Sequence, residues 1–246
     1  MTVSELNFTR LCVRAAEVFC MHSLTVENYC KAILQIAIRT GQDNVSTGDV
    51  AGVLGVSPGT VTSMLKTLAE SDLAQYKPYE GVKLTKSGKT LALRMLRRHR
   101  LIELFLAKTL GLSWDEVHDE AENMEHAVSD SLVDRIDEFL GRPDYDPHGA
   151  PIPQADGTMR GEADQSQPLS DCEAGSRVRL TRVLTQSPEF LRHLAGAGLT
   201  LGVEVEVVEN SPIGGTITLR MGGRKTQTLG HTAAAQLLAT PVTGRA

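Results

Sequence analysis

Nine residues, His118 to His126, read HDEAENMEH and hold two histidines and four acidic side chains. At helical spacing Val117, Ala121, Met124, Val128 and Leu132 form one apolar stripe, and His118, Glu122, Glu125 and His126 fall on a neighbouring face. Glu122 stands four residues after His118 and four before His126. Just upstream, His99 and Glu103 are one helical turn apart. Imidazole and carboxylate without thiolate suit the harder divalent first-row cations, with Mn²⁺ ranked below Fe²⁺ in intrinsic affinity and Zn²⁺ above both. Two carboxylates such as Glu122 and Glu125 in one small site repel each other unless one is protonated or a cation intervenes, which gives an ion a lever on conformation. On these residues alone, a solvated acidic helix face remains an open reading.

Other elements must position such a site. The chain has 246 residues, 41% hydrophobic and 22% charged, the composition of a soluble globular protein with room for one large domain or two to three small ones. Its net charge of −5 conceals an asymmetry: residues 1–100 carry +5, residues 101–140 carry −9 and the remainder −1. A basic first part suits a polyanion and an acidic second part a cation. Cys12, Cys20, Cys30 and Cys172 form no C-x-x-C pair and read as free thiols of a reducing compartment, so the expected location is cytoplasmic. Neither a signal segment nor an apolar run of membrane-spanning length is expected.

In chain order, residues 4–21 suggest a short leading helix, and a helix from about 27 to 40 follows a capping Thr25. Ser46 or Thr47 opens a short helix that Gly55 breaks; Ser57-Pro58 then gives an N-cap followed by proline at the first helical position. Two short helices so joined make a helix-turn-helix. LAQY (73–76), KPYEG (77–81) and VKLT (82–85) read as a β-hairpin, which completes a winged helix. Ser57, Gly59, Thr60 and Ser63 begin the recognition helix, where base edges would be met, while Lys66, Lys77 and Lys83 are placed to meet phosphates. The same geometry also serves modules that bind only protein.

A long helix spans roughly 86–110, Ser113-x-x-Glu116 is a capping box for the helix carrying HDEAENMEH, and another helix covers about 129–140. Their apolar stripes predict burial against a symmetric partner. Residues 144–172, rich in Pro, Gly, Asp, Gln and Ser, read as a linker. Strand-like segments at 177–183, 203–208, 216–221 and 225–229, with a short helix near 187–196, suggest a small SH3-like β-barrel. The expected architecture is mainly α with a small β domain: winged helix-turn-helix over 1–90 (with an extension, 1–23), helical metal-binding and dimerisation domain over 91–143, linker over 144–172 and SH3-like domain over 173–246.

The blocks VSPGTVTSMLKTLAESDL, LTKSGKTLA, RRHRLIELFL, VHDEAENMEH and HGAPIP, in this order, resemble the diphtheria toxin repressor family of metal-dependent transcriptional regulators over roughly 24–240. The resemblance implies a homodimer that binds a palindromic double-stranded DNA operator with Mn²⁺ or Fe²⁺ as co-repressor. It implies a primary metal site at Asn28, Glu122, Glu125 and His126, and an ancillary site at His99, Glu103 and His118 that Gln186 and Glu189 complete. Glu122 stands where iron-responsive members have cysteine and the manganese branch has glutamate, which favours Mn²⁺. Asn28 replaces Met or Asp, and such an asparagine also commonly caps its own helix. Lys31 occupies a position that is acidic in the manganese branch, at odds with a closely spaced dinuclear pair. At the barrel positions the family's Glu and Gln are exchanged.

The competing reading is a metal-independent winged-helix regulator whose acidic helices serve dimerisation alone. An enzyme is disfavoured, because no H-E-x-x-H, paired Glu-x-x-His motif, phosphate loop or activated serine occurs. Neither a membrane nor a small-molecule substrate is expected as a partner. His22, His148, His193 and His231 are read as surface or core residues.

Overall fold

The computed structural model describes residues 24–161, 165–222 and 226–242. The expected helix over 4–21, with Cys12, Cys20 and His22, lies outside them. The described chain forms two compact units that divide at Leu96/Arg97.

In the first unit, helix α1 (Leu24–Thr40) precedes α2 (Thr47–Leu54), α3 (Pro58–Glu70), strands β1 (Ala74–Lys77) and β2 (Gly81–Leu84) and the start of α4 (Lys86–Phe105). α1 begins at Leu24, so Thr25 is a helical residue rather than the expected cap. The two expected caps on the helix-turn-helix form as read. Ser46 Oγ accepts from the Asp49 amide, Gly55 ends α2 in the left-handed region, and Ser57 Oγ accepts from the Thr60 amide. Val50, Val61, Leu65 and Leu68 are fully buried with Ile33 and Val82 beneath them, so one apolar core fixes the recognition helix α3 against the rest. Val45 exchanges backbone hydrogen bonds of 2.8 and 2.9 Å with Val82, adding an isolated bridge to the β1–β2 wing. Gly88 lets α4 approach the wing's base: a Cβ there would lie 1.9 Å from the Leu73 carbonyl oxygen.

The second unit contains the rest of α4, which runs into a π-helical turn (Leu106–Leu110), then α5 (Val117–Met124) and α6 (Asp130–Phe139). Two apolar clusters hold these helices: Leu101, Leu104, Val133, Ile136 and Ile152 in one, Ile102, Leu106, Val117 and Ala121 in the other. The capping box is half formed. Glu116 accepts from the Ser113 amide at 2.9 Å, but the Ser113 hydroxyl donates to the same carboxylate rather than capping an amide. α5 stops at Met124, earlier than the apolar periodicity suggests, because Ala127 already bonds back to Met124 in a tight turn and Ser129 caps α6. Met124 and Leu132 are accordingly 36% and 48% exposed, and the expected five-residue stripe buries only its first part.

Beyond α6, β3 (Gln167–Pro168), β4 (Arg177–Val183), α7 (Pro188–Ala197), β5 (Glu204–Ser211), β6 (Thr216–Met221), β7 (Thr226–Gly230), α8 (His231–Ala234) and β8 (Leu237–Pro241) follow. The strands make one antiparallel sheet in the order β3-β8-β4-β5-β6-β7, around a core that includes Leu180, Leu191, Val207, Leu219 and Leu237. β3 and β8 were not among the expected strands. The expected linker is packed over its first half. Asp146, His148 and Ile152 are buried, the backbone closes bridges at Tyr145–Pro151 and Pro153–Met159, and the Val183 amide of β4 donates to the His148 carbonyl at 2.9 Å. Its polarity reflects buried hydrogen bonding, not solvation: Asp146 Oδ1 accepts from the amides of His148 and Ala150 at 2.8 and 2.9 Å.

Candidate metal centre

α4, α5 and the turn after α5 bring six of the nine expected ligands together in the second unit. His99 and Glu103 face the same way one turn apart on α4, with Nε2 and Oε1 separated by 2.9 Å. His118, from the first turn of α5, sets Nδ1 3.2 Å from His99 Nε2 and 3.3 Å from Glu103 Oε1. Three donor atoms with these spacings are close enough to share one cation. Ligands at right angles around a cation at about 2.1 Å stand about 3.0 Å apart. Glu122, one turn along α5, reaches within 3.6 Å of His99 Nδ1 and 4.0 Å of His118 Nε2. Glu125 and His126 sit on the turn instead of the helix, with His126 Nε2 3.4 Å from Glu125 Oε1. Glu125 also places Oε2 2.7 Å from His99 Nδ1.

Glu103 and Glu125 are fully buried. Burial by itself would push the Glu103 carboxyl up; the charge of His99 and the close imidazoles of His118, His148 and His99 outweigh it and hold the group well below the usual carboxylate range. Glu103 is therefore a buried acceptor ringed by imidazoles.

The far side of Glu103 has partners that the sequence reading left aside. His148 Nδ1 lies 3.6 Å from Glu103 Oε2, and its Nε2 is 2.6 Å from the Trp114 carbonyl oxygen. Asp146, Glu103 and His148 each offer an atom within a 4.8 Å sphere of mutual distances, as do His99, His118 and Glu122. Burial raises the Asp146 carboxyl, and the nearby charge of Glu103 raises it further. Gln186, from the loop after β4, donates to Glu103 Oε1 at 3.4 Å and faces His148 Nδ1 at 3.0 Å. Glu189 lies exposed in the first turn of α7, and no hydrogen bond or ion pair joins it to this cluster among the described residues. Of the two barrel residues expected here, the fold brings only Gln186 to the site.

The three arginines flanking His99 anchor the cluster. Arg97 bonds Asp134 at 2.8 Å and Asp137 at 2.9 Å, and Arg160 closes on Asp137 from the other side. Arg98 grips Asp130 at 2.8 Å and the Glu125 carbonyl oxygen at 3.4 Å. Arg100 donates to the Pro151 carbonyl and lies 3.7 Å from Asp146.

Comparison with known proteins settles the family. The iron-dependent repressor N-terminal DNA-binding domain matches residues 21–82, the iron-dependent repressor metal-binding and dimerisation domain matches 85–154, and the FeoA domain matches 167–241. The chain is 31% identical over 192 residues to the iron-dependent repressor IdeR of Mycobacterium tuberculosis, covering 74% of this chain and 83% of that protein. The chain belongs to the diphtheria toxin repressor family. Its members are DNA-binding, metal-dependent transcriptional regulators and not enzymes, which sets aside both competing readings. The regulator MntR of Bacillus subtilis is 32% identical over 120 residues, or 49% of this chain and 82% of that one. A solved manganese-dependent transcriptional repressor in complex with manganese superposes with a TM-score of 0.81 at 39% identity, over 88% of this chain and all of the other.

In this diphtheria toxin repressor family member the recognition helix presents Ser57, Gly59, Thr60, Ser63 and Lys66 to solvent. The Ser57 hydroxyl is committed to its cap and to Thr60 Oγ1 at 2.9 Å. Lys77 pairs with Glu80 at 3.2 Å on the wing, and Lys83 shares Asp43 with Lys89 at 2.7 and 3.1 Å. Those hydrogen bonds, Lys83's first, hold the Asp43 carboxyl low. Lys66 lines a groove with Thr62 of α3 and Tyr76 and Tyr79 of the wing, residues that sequence reasoning did not single out. Tyr79 is fully exposed with φ +65° at the wing's tip. Only its place between the turn-forming Pro78 and Gly81 could have marked it.

Proposed function

We propose that this chain is a homodimeric repressor that takes Mn²⁺, with Fe²⁺ as the second candidate, as co-repressor and binds a palindromic DNA operator of metal-homeostasis genes. The observation that carries this reading is the convergence of His99, Glu103, His118, Glu122, Glu125 and His126, all imidazole or carboxylate, on one cluster built around the buried His99, Glu103 and Glu125. A donor set without thiolate favours the harder ions. Glu122, Glu125 and His126 would hold the primary ion, and Asn28 would add its carboxamide oxygen. Asn28 Oδ1 is buried without a hydrogen-bond partner, which suits a ligand better than a helix cap. His99, Glu103 and His118 would hold the second ion, with Gln186 on the same Glu103 oxygen and His148 and Asp146 on the far side of that carboxylate; Glu189 would need a rearranged first turn of α7 to join them. A bound cation would supply further positive charge between the Glu122 and Glu125 carboxylates, which otherwise repel each other.

The protein's residues convert that occupancy into DNA affinity by favouring one arrangement of the recognition helices. A 100-fold preference for the DNA-competent state corresponds to about 2.7 kcal/mol. Ser57, Gly59, Thr60 and Ser63 would meet base edges, and Lys66, Lys77 and Lys83 phosphates. Leu132 and Phe139 of α6, 48% and 70% exposed within the region matching the dimerisation domain, supply an apolar face for a second copy. Buried free thiols at Cys30 and Cys172 suit the cytoplasm.

Titration of operator binding with Mn²⁺, Fe²⁺ and Zn²⁺ separately, alongside metal stoichiometry, tests the reading. Metal-dependent binding that E122A/H126A abolishes is expected. Equal DNA affinity in chelator and in excess Mn²⁺ would overturn it.

A further inference from the structure

The family mapping treats the two metal groups as separate, but one side chain touches both. His99 is 3% exposed and spans two fully buried carboxylates: Nε2 is 2.9 Å from Glu103 Oε1, in the second group, and Nδ1 is 2.7 Å from Glu125 Oε2, in the first. We propose that His99 is a positioning residue for the primary site, coupling it to the second group through the Nδ1–H···Glu125 bond. The inference rests on the two-group reading above and adds a physical link between the groups.

An ionised carboxylate only accepts, so His99 must carry its proton on Nδ1 to hold Glu125. A histidine that ligates through Nε2 keeps its proton on Nδ1 and commonly gives it to a carboxylate, which fixes the ring and its partner. A charged His99 donates from both nitrogens; once Nε2 engages an ion at Glu103 and His118, the one remaining proton stays on Nδ1, where Glu125 accepts it. With Oε2 held by His99, Glu125 turns Oε1 towards His126, 3.4 Å away, and the two primary ligands are presented together. The neighbouring Arg98 reinforces the connection: it donates to the Glu125 carbonyl at 3.4 Å and to Asp130 at 3.1 and 2.8 Å, tying the turn that carries Glu125 and His126 to the same turn of α4. In an unsupported turn Glu125 would have other rotamers, and the ion would have to select one.

The test measures Mn²⁺ binding to the full-length protein by the loss of the free-ion electron paramagnetic resonance signal, without DNA. Asparagine at position 99 keeps a donor near the Nδ1 position and lacks Nε2, whereas alanine lacks both. Both variants lose the same ligand from the second group, so their difference isolates the donor. H99A is expected to weaken binding at Glu122/Glu125/His126 about 10- to 100-fold, with H99N recovering most of the loss. H118A, which disables the second group but keeps His99, is expected to weaken the primary site by less than H99A. Unchanged primary affinity in H99A, or equal loss in H99A and H99N with thermal stability alike, would overturn the coupling. An E125A/H126A variant that binds as much Mn²⁺ as the wild type, as tightly, would instead overturn the two-group reading itself.

Discussion

Gly149 joins the polar segment after α6 to the barrel, and replacing it with alanine should disturb the metal cluster from a distance. Its φ is +81°, and an added Cβ would lie 2.0 Å from the Thr181 carbonyl oxygen and 2.9 Å from Arg182 Cα. Both obstacles are backbone, so no side chain can rotate out of the way. An L-residue in the left-handed region costs about 1–2 kcal/mol, and relief of an overpacked contact about 1–3 more. Taking about 3 kcal/mol in all, a unit of this size should lose roughly 6–12 °C in Tm. The local effect is more diagnostic than the global one. The backbone shift would pull His148, whose carbonyl accepts from Val183 at 2.9 Å, away from Glu103. Calorimetry should show the lower Tm, and Mn²⁺ titration should show the second ion weakened more than the first. A G149A protein with unchanged Tm and an unchanged second Mn²⁺ affinity would refute the reasoning, since the segment would then be free to give way.

Three further outcomes follow from the same geometry. Operator binding by K66A should show a salt dependence shallower by about 0.9 per phosphate contact and protomer, whereas K83A should change it less, because Lys83 already spends its charge on Asp43 at 2.7 Å. D137N should destabilise the metal-free protein by about 3 kcal/mol in denaturant titrations near neutral pH, since two guanidinium groups lose their shared counter-charge, although Arg97 keeps Asp134. Burial raises the Asp137 carboxyl, but the hydrogen bonds and charges of Arg160 and Arg97 bring it below its ordinary value. Its contribution is therefore complete above about pH 4 and lost as the pH falls through the folded value, so wild type and D137N should converge in acid.

Much of the fold was legible because its signals are local. Ser46, Gly55, Ser57 and Pro58 punctuate the helix-turn-helix through bonds and backbone angles within a few residues, and the structure keeps each of them in the expected role. The strands at 177–183 and 216–221 likewise keep their expected bounds, although a bulge between Leu180 and Arg182 shifts the alternation of the first. The ends of α5 were not legible in the same way. Periodicity extends the helix through His126, while the chain leaves it at Met124, because the Ser129 cap and the pull of Arg98 on Asp130 and the Glu125 carbonyl demand a turn first.

The sequence by itself determined the chemistry of this protein: which residues donate imidazole or carboxylate, that thiolate is absent from the set, and that a capped recognition helix precedes it. The tertiary structure decided which of those donors meet. It brought Gln186 to Glu103 and left Glu189 exposed on α7; it moved His148 and Asp146 from a supposed linker into the heart of the cluster; and it placed His99 between two carboxylates belonging to different groups. The reason is physical. Residue type and helical spacing are properties of a short stretch of chain, whereas a ligand's neighbours across 45 or 83 residues, as for His148 and Gln186 with Glu103, depend on how helices, turn and barrel bury their apolar faces together.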